Sequence, residues 1–262
     1  MLCARLRPSN IDASKGWEEE VPRIIAQIRK RWPKTRIILR ADSGFARDTL
    51  MSWCENNDVK YIFGLARNAR LQAELAEQME EAKRQSKTRR ESVRCWKDFE
   101  YQTLGSWSCA RRVVGKAEWL IGIEQDEGKA NPRFVVTNLE RQGLDAQSLY
   151  EQLYCARGEM ENRIKEQQHD LFADRTSTGF LASNQLRLYL SGLAYMIVNA
   201  LRGSALASTP MAQATVGSIR IHLLKAGALI RVSVRRVLVS ISTGWPGQAL
   251  FRQVAANLAR AG

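Results

Sequence analysis

Two carboxylates occupy places where a carboxylate can do chemistry. Asp42 closes the run Arg36-Ile-Ile-Leu-Arg-Ala41, and Glu161 lies inside Tyr154-Cys-Ala-Arg157-Gly-Glu-Met-Glu161-Asn-Arg-Ile-Lys165. Tyr154, Arg157, Glu161 and Lys165 follow one another at spacings of three, four and four, which puts them side by side on one face of a helix. A carboxylate between an aromatic ring and two cations suits metal or phosphate chemistry: acidic oxygens hold divalent cations, and guanidinium and ammonium groups hold phosphate oxygens. Each acid also has a plain structural use. Asp42 can cap the turn that follows it, and a helical glutamate ordinarily faces solvent.

The elements that must position these residues are legible from patterning. Arg36–Ala41 has the continuous apolar centre of a mostly buried parallel strand, and Asp42-Ser43-Gly44 is the turn at its C-terminal end, where parallel sheets place ligands. Ser14–Trp32 reads as an amphipathic helix stopped by Pro33, Arg47–Asn57 as a second helix, and Lys60–Leu65 as a second strand, together a parallel crossover. Met1–Leu6 reads as the end of a strand. Ala69–Arg90 is polar and helical in propensity, a solvated surface helix. Phe99–Trp107, Ala110–Val114, Glu118–Ile123 and Arg133–Asn138 are strand-like. Trp96, Trp107 and Trp119 fall among them and suit packing better than base stacking. Leu144–Gln168 reads as one helix whose apolar face is Leu149, Leu153, Ala156, Met160 and Ile164. Leu181–Arg202 reads as a buried helix, since Asn184, Gln185, Arg187 and Asn199 interrupt it too often for a membrane span. Ala207–Ile219 is loop-like, Ile230–Ser242 suits strand or helix, and Trp245–Ala261 closes as an Arg-bearing helix.

Composition narrows the chemistry. The formal net charge is +13 over 262 residues, a surplus that fits a polyanionic partner, nucleic acid foremost. No Asp or Glu follows Asp174, whereas ten Lys or Arg lie between Arg175 and Gly262. Five scattered cysteines without a CxxC pair fit a reducing cytoplasm and argue against a disulfide framework or structural zinc. The presence of only His169 and His222 argues against a Ser-His-Asp triad or a histidine-rich metal site, so metal chemistry would rest on carboxylates.

Three runs carry a resemblance. Arg-Ala-Asp42-Ser-Gly-Phe-Ala-Arg with Tyr61-Ile-Phe-Gly-Leu-Ala-Arg-Asn, Phe134-Val-Val-Thr-Asn-Leu, and the Tyr154–Gln168 run together resemble bacterial insertion-sequence transposases of the DDE class, group 1, and within it the insertion sequence 1380 family. The resemblance implies an α/β fold. Its catalytic core would be ribonuclease-H-like and incomplete at the N-terminus, with a β-rich insertion and a basic helical C-terminal region. The parts would be 1–68 (first part of the core), 69–139 (a helix and the insertion returning to the core), 140–205 (the signature helix and the next core helix) and 206–262 (the basic region). It implies transposition of an insertion sequence by metal-dependent cleavage and transfer of DNA strands. Asp42 and Glu161 would be catalytic metal ligands for Mg²⁺ or Mn²⁺, with Tyr154, Arg157 and Lys165 on DNA. The partners would be double-stranded DNA, at transposon ends and target, and a second copy of the chain in the DNA complex. The setting would be the bacterial cytoplasm at the nucleoid, with no membrane.

Two departures qualify it. The family pattern has Lys seven residues after the glutamate, where Gln168 stands; Lys165 lies one helical turn earlier. The first acid of the triad belongs on an earlier strand, and no Asp or Glu precedes Asp12, which reads as a chain truncated before that residue and inert by itself. The alternatives are a non-catalytic DNA-binding remnant or another ribonuclease-H-like nuclease. The metal reading expects Asp42 and Glu161 to converge at one sheet edge, the remnant reading expects salt-sensitive DNA binding without cleavage, and a missing strand would leave a sheet edge open.

Overall fold

The computed structural model describes residues 2–122 and 125–261. The chain forms two compact units, Ser9–Gly158 and Met1–Pro8 with Glu159–Gly262.

The unit Ser9–Gly158 is built on one mixed sheet. Its strands are β1 (Ile38–Ala41), β2 (Lys60–Leu65), β3 (Val93–Tyr101), β4 (Arg111–Gly122), β5 (Gln125–Ala130) and β6 (Arg133–Thr137), in the order β1-β2-β6-β4-β3, with β5 paired to β4. β1 and β2 are parallel, Leu39 opposite Tyr61, and the remaining pairings are antiparallel. The parallel pair is joined by helix α2 (Asp48–Asn56), as the pattern predicts.

Strand alternation divides β2 between two cores. Tyr61 and Phe63 point to one face. There they meet Trp17 and Ile25 of α1 (Trp17–Arg31), Leu50, Met51 and Cys54 of α2, and Leu71 and Leu75 from α3 (Ala69–Glu74) and the start of α4 (Ala76–Arg89). Leu50, Met51, Tyr61 and Phe63 are fully buried, each contributing roughly 1.5–3 kcal/mol of hydrophobic stabilisation. On the opposite face Ile62 joins Val114, Val135, Leu139, Leu149 and Tyr150.

Several expectations need correcting. β1 is only half-buried, because among the described residues it pairs on one side alone. The segments expected as Ala110–Val114 and Glu118–Ile123 are one strand, β4: Gly115 lies at its centre and the Leu75 side chain packs against that glycine. Ile123 lies outside the described residues. The expected strand Phe99–Trp107 ends at Tyr101, after beginning earlier at Val93. Trp107 is buried edge-on to Tyr101 and Trp96 packs on Tyr150, as packing residues would.

The expected single helix Leu144–Gln168 is a succession of short turns. α5 (Ala146–Ser148) leads into a wide π-type turn (Leu149–Tyr154), a tight 3₁₀ turn (Cys155–Arg157), α6 (Gly158–Lys165) and a second π-type turn (Glu166–Asp170). Leu149, Tyr150, Leu153 and Tyr154 all belong to the second core. Met160 and Ile164, assigned to the apolar face by spacing, are 48% and 43% exposed.

In the unit containing Glu159–Gly262, α7 (Leu181–Gly203) is buried along Asn184, Ser191, Tyr195, Val198 and Arg202, while Leu186, Leu190, Leu193 and Ile197 face outward. It is thus buried on one side, not throughout. Tyr195 and Val198 pack with Leu206, Ile219, Leu223 and Val254. Val216 and Ile219 of the expected loop are helical and buried, in α8 (Val216–Ile219). The ambiguous stretch after Ile230 is the hairpin β7 (Ala228–Val232) and β8 (Val237–Ile241), and α9 (Gln248–Ala261) closes the chain. Leu2–Pro8 is not a strand; the Gln185 amide accepts from the Leu6 N–H at 2.7 Å and donates to the Ala4 carbonyl at 3.0 Å. Among the described residues no helix is long and apolar enough to cross a membrane.

Candidate active-site cleft

The C-terminal ends of β1 and β2 open into a cleft of about 430 Å³. Asp42, Arg67, Arg133, Tyr150 and Tyr154 line it, with Gly64 at its base. Parallel strands create such a rim because both chains leave the sheet at the same end.

Asp42 is both a cap and a residue of the rim. It caps the short turn Ser43–Phe45, its Oδ1 accepting the Gly44 N–H at 2.9 Å, and its exposed side chain lies on the cleft. Glycine is required beside it: a Cβ on Gly44 would lie 2.9 Å from the Ala13 Cβ and 3.1 Å from Asp42 Oδ1.

Tyr154 reaches the same rim from the opposite direction. A Cβ on Gly64 would lie 2.6 Å from its hydroxyl and 3.1 Å from the Ser43 backbone nitrogen. The missing side chain of Gly64 therefore admits the phenol next to the Asp42 turn. Two contacts seat the segment that carries it. Arg40 of β1 donates from Nη1 to the Leu153 carbonyl at 2.7 Å, and the Tyr150 and Tyr154 rings lie 5.3 Å apart. The Arg157 guanidinium sits over the Tyr154 ring at 5.6 Å. The structure thus brings Asp42 and Tyr154 onto one cleft, with Arg157 over the Tyr154 ring.

Behind the cleft lies a buried charge network. Glu118 on β4 accepts from Lys116 Nζ at 2.6 Å, Arg94 Nε at 2.7 Å and Asn131 Nδ2 at 2.7 Å; Arg94 also pairs with Glu151 at 2.9 Å. Burial pushes the Glu118 carboxyl up, but the hydrogen bonds and charges of Lys116 and Arg94 outweigh it and hold the group below the usual glutamate range. Lys116 lies 5.5 Å from the Tyr150 ring centre, and burial raises that phenol's pKa above the ordinary tyrosine value.

Glu161 and Lys165 belong to the other compact unit. Glu161 is half-buried and Lys165 exposed. Beside them Arg163 pairs with Glu159 at 2.5 Å and Glu166 at 3.4 Å, and Glu166 also binds the buried Arg202 at 3.1 Å.

A pair of divalent cations needs several acidic oxygens at one place. Among the described residues of the unit Ser9–Gly158, Asp42 is the carboxylate that lines the cleft, together with Arg67 and Arg133, and among the described residues no group of three or more His, Cys, Asp or Glu could hold a metal ion. Within the unit Ser9–Gly158 the cleft would offer such a cation one carboxylate, Asp42.

Sequence reasoning missed Arg67 and Arg133. Each stands at a strand end on the rim, Arg67 two residues beyond β2 and Arg133 at the start of β6, and that position was the available signal.

The architecture is a mixed α/β sheet, consistent with a DDE transposase domain. The whole chain, residues 1–262, matches the family model of the transposase DDE domain, group 1. The chain belongs to that family, which points to a DNA-cutting enzyme of transposition. No curated protein matches it in sequence.

Proposed function

We propose that this chain carries the catalytic domain of an insertion-sequence transposase of the 1380 family, with a ribonuclease-H-like core, and that the cleft at Asp42 receives the DNA strand. The observation that carries the reading is the joint approach of the Asp42 turn, at the end of a parallel strand, and Tyr154, the first residue of the family's signature run, to the space that a side chain on Gly64 would fill. In this reading Asp42 and Glu161 are acidic ligands of Mg²⁺ or Mn²⁺, while Tyr154, Arg157 and Lys165 contact DNA. The protein's own residues bind and orient. Arg157, stacked on Tyr154, offers donors to a phosphate, and the aromatic wall keeps that contact out of bulk water, where it would be weaker.

A second reading, DNA binding without cleavage, is favoured by Asp42 being the one carboxylate that, among its described residues, the unit Ser9–Gly158 places on the cleft. Strand cleavage of insertion-sequence end DNA in Mg²⁺ or Mn²⁺ separates the two. Metal-dependent cleavage abolished by both Asp42→Asn and Glu161→Gln supports the enzyme with these ligands. Cleavage surviving either substitution overturns that ligand's role. Salt-sensitive DNA binding with no cleavage establishes the second reading.

A further inference from the structure

We propose that Arg67 and Arg133 form a two-guanidinium clamp for a DNA backbone phosphate beside Asp42, and that Glu118 positions Arg133 for this through Asn131. The inference rests on the cleft being the DNA site.

Arg67 and Arg133 are exposed residues lining the same cleft as Asp42. Among the described residues Arg67 makes no hydrogen bond or ion pair, and Arg133 makes one, from Nε to Asn131 Oδ1 at 3.1 Å. The terminal nitrogens of both guanidinium groups are left to bind something else. Many other arginines of this unit are committed: Arg111 to Asp48 and Glu55, Arg112 to Asp98, Arg94 to Glu118 and Glu151. Two uncommitted guanidinium groups around one carboxylate leave the rim positive, and planar paired donors suit phosphate oxygens.

Arg133 is also held in a way a solvated arginine is not. Asn131 is tied twice to Glu118, its backbone N–H to the Glu118 carbonyl at 2.8 Å and its Nδ2 to Oε2 at 2.7 Å. That orientation turns Oδ1 toward Arg133. The Glu118 side chain is only 5% exposed and is fixed from its other sides by Lys116 and Arg94. A rigid buried carboxylate thus orients an amide, and the amide holds Nε of an arginine that lines the cleft. Positioning of this kind lowers the ordering cost of binding.

The test is duplex-DNA binding by fluorescence anisotropy over a series of salt concentrations, with each variant's thermal unfolding measured alongside. Each phosphate contact removed should reduce the log–log salt slope by roughly 0.9, so replacing both Arg67 and Arg133 by Gln should flatten it by about that amount, and Arg67→Gln or Arg133→Gln alone by part of it. Lys at either position should restore the slope but not the full affinity, because it keeps the charge and loses the fork. Asn131→Ala should weaken binding several-fold in the native chain and have no effect once Arg133 is Gln, an interaction that a merely structural Asn131 would not show. Unchanged slopes for both arginine variants, with Tyr154→Ala or Arg157→Gln still weakening binding, would overturn the clamp and leave the cleft reading standing. Unchanged binding in all four variants would overturn the cleft reading itself. An equal effect of Asn131→Ala with and without Arg133 would overturn the positioning role.

Discussion

The hydroxyl of Tyr154 lies where a methyl group on Gly64 would sit, 2.6 Å from that ideal position. A signature-run residue and a mid-strand glycine are thus complementary, and the complementarity brings the phenol to the Asp42 turn. Gly64→Ala should destabilise the fold by about 1–3 kcal/mol, the usual cost of overpacking. Adding Tyr154→Phe should recover part of that loss, since the ring then needs less room, while the Ser43 backbone still crowds the methyl. Urea unfolding of the two single variants and the double variant measures the coupling. Strict additivity would show that the two residues do not share this space.

Acid should unfold the Ser9–Gly158 unit through its paired carboxylates. At Glu118 burial opposes ionisation, but Lys116 and Arg94 prevail and the folded-state pKa lies below the ordinary 4.5. Burial likewise opposes ionisation of Asp48, and hydrogen bonds from Ser108 and Arg111 prevail there. A carboxylate with a lowered folded-state pKa stabilises fully above its unfolded value, and the stabilisation is lost as pH falls through the folded one. Stability should therefore be level above about pH 4.5 and decline below it. Glu118→Gln should lower the plateau and shallow the decline. Urea midpoints that rise on acidification through this window would contradict the assignment.

Thiol labelling should sort the five cysteines by the fold. Cys3, Cys109 and Cys155 are exposed, and Cys54 is buried. Burial foremost, aided by the nearby Glu55 charge, pushes the Cys54 thiol up to about 12, so it lacks both access and thiolate. Mass spectrometry after brief alkylation of the native chain should find the three exposed thiols modified and Cys54 only after unfolding. Early modification of Cys54 would mean that α2 does not pack on β2 as described.

How much of this was legible follows from which forces act locally. The parallel pair β1 and β2 could be read because Pro33, the Asp42-Ser43-Gly44 turn and the apolar centres are local signals. The Asp42 rim followed from them. The breakup of the signature helix could not be read. Its 3.6-residue pattern fits one helix, and the packing of Leu149 and Tyr150 against Ile62, Val114 and Val135 comes from segments far away in sequence. The half-exposed β1 was hidden for a related reason, since an apolar run does not say how many neighbours the strand will have. Arg67 and Arg133 escaped notice because they come from segments far apart in sequence that only β2–β6 pairing makes neighbours, Leu65 opposite Phe134. The Glu118 network needed the β3–β4 register, in which Arg94 faces Glu118.

The central claim, that DNA lies in the cleft at Asp42, is tested most directly by photocrosslinking. Duplex DNA carrying 5-iododeoxyuridine joins to aromatic side chains in contact with a base, and mass spectrometry locates the joined residue. The account predicts a crosslink at Tyr154 or Tyr150, reduced when Arg67 and Arg133 are both replaced by Gln. Efficient crosslinking confined to residues 159–262, with none at either tyrosine, would contradict it.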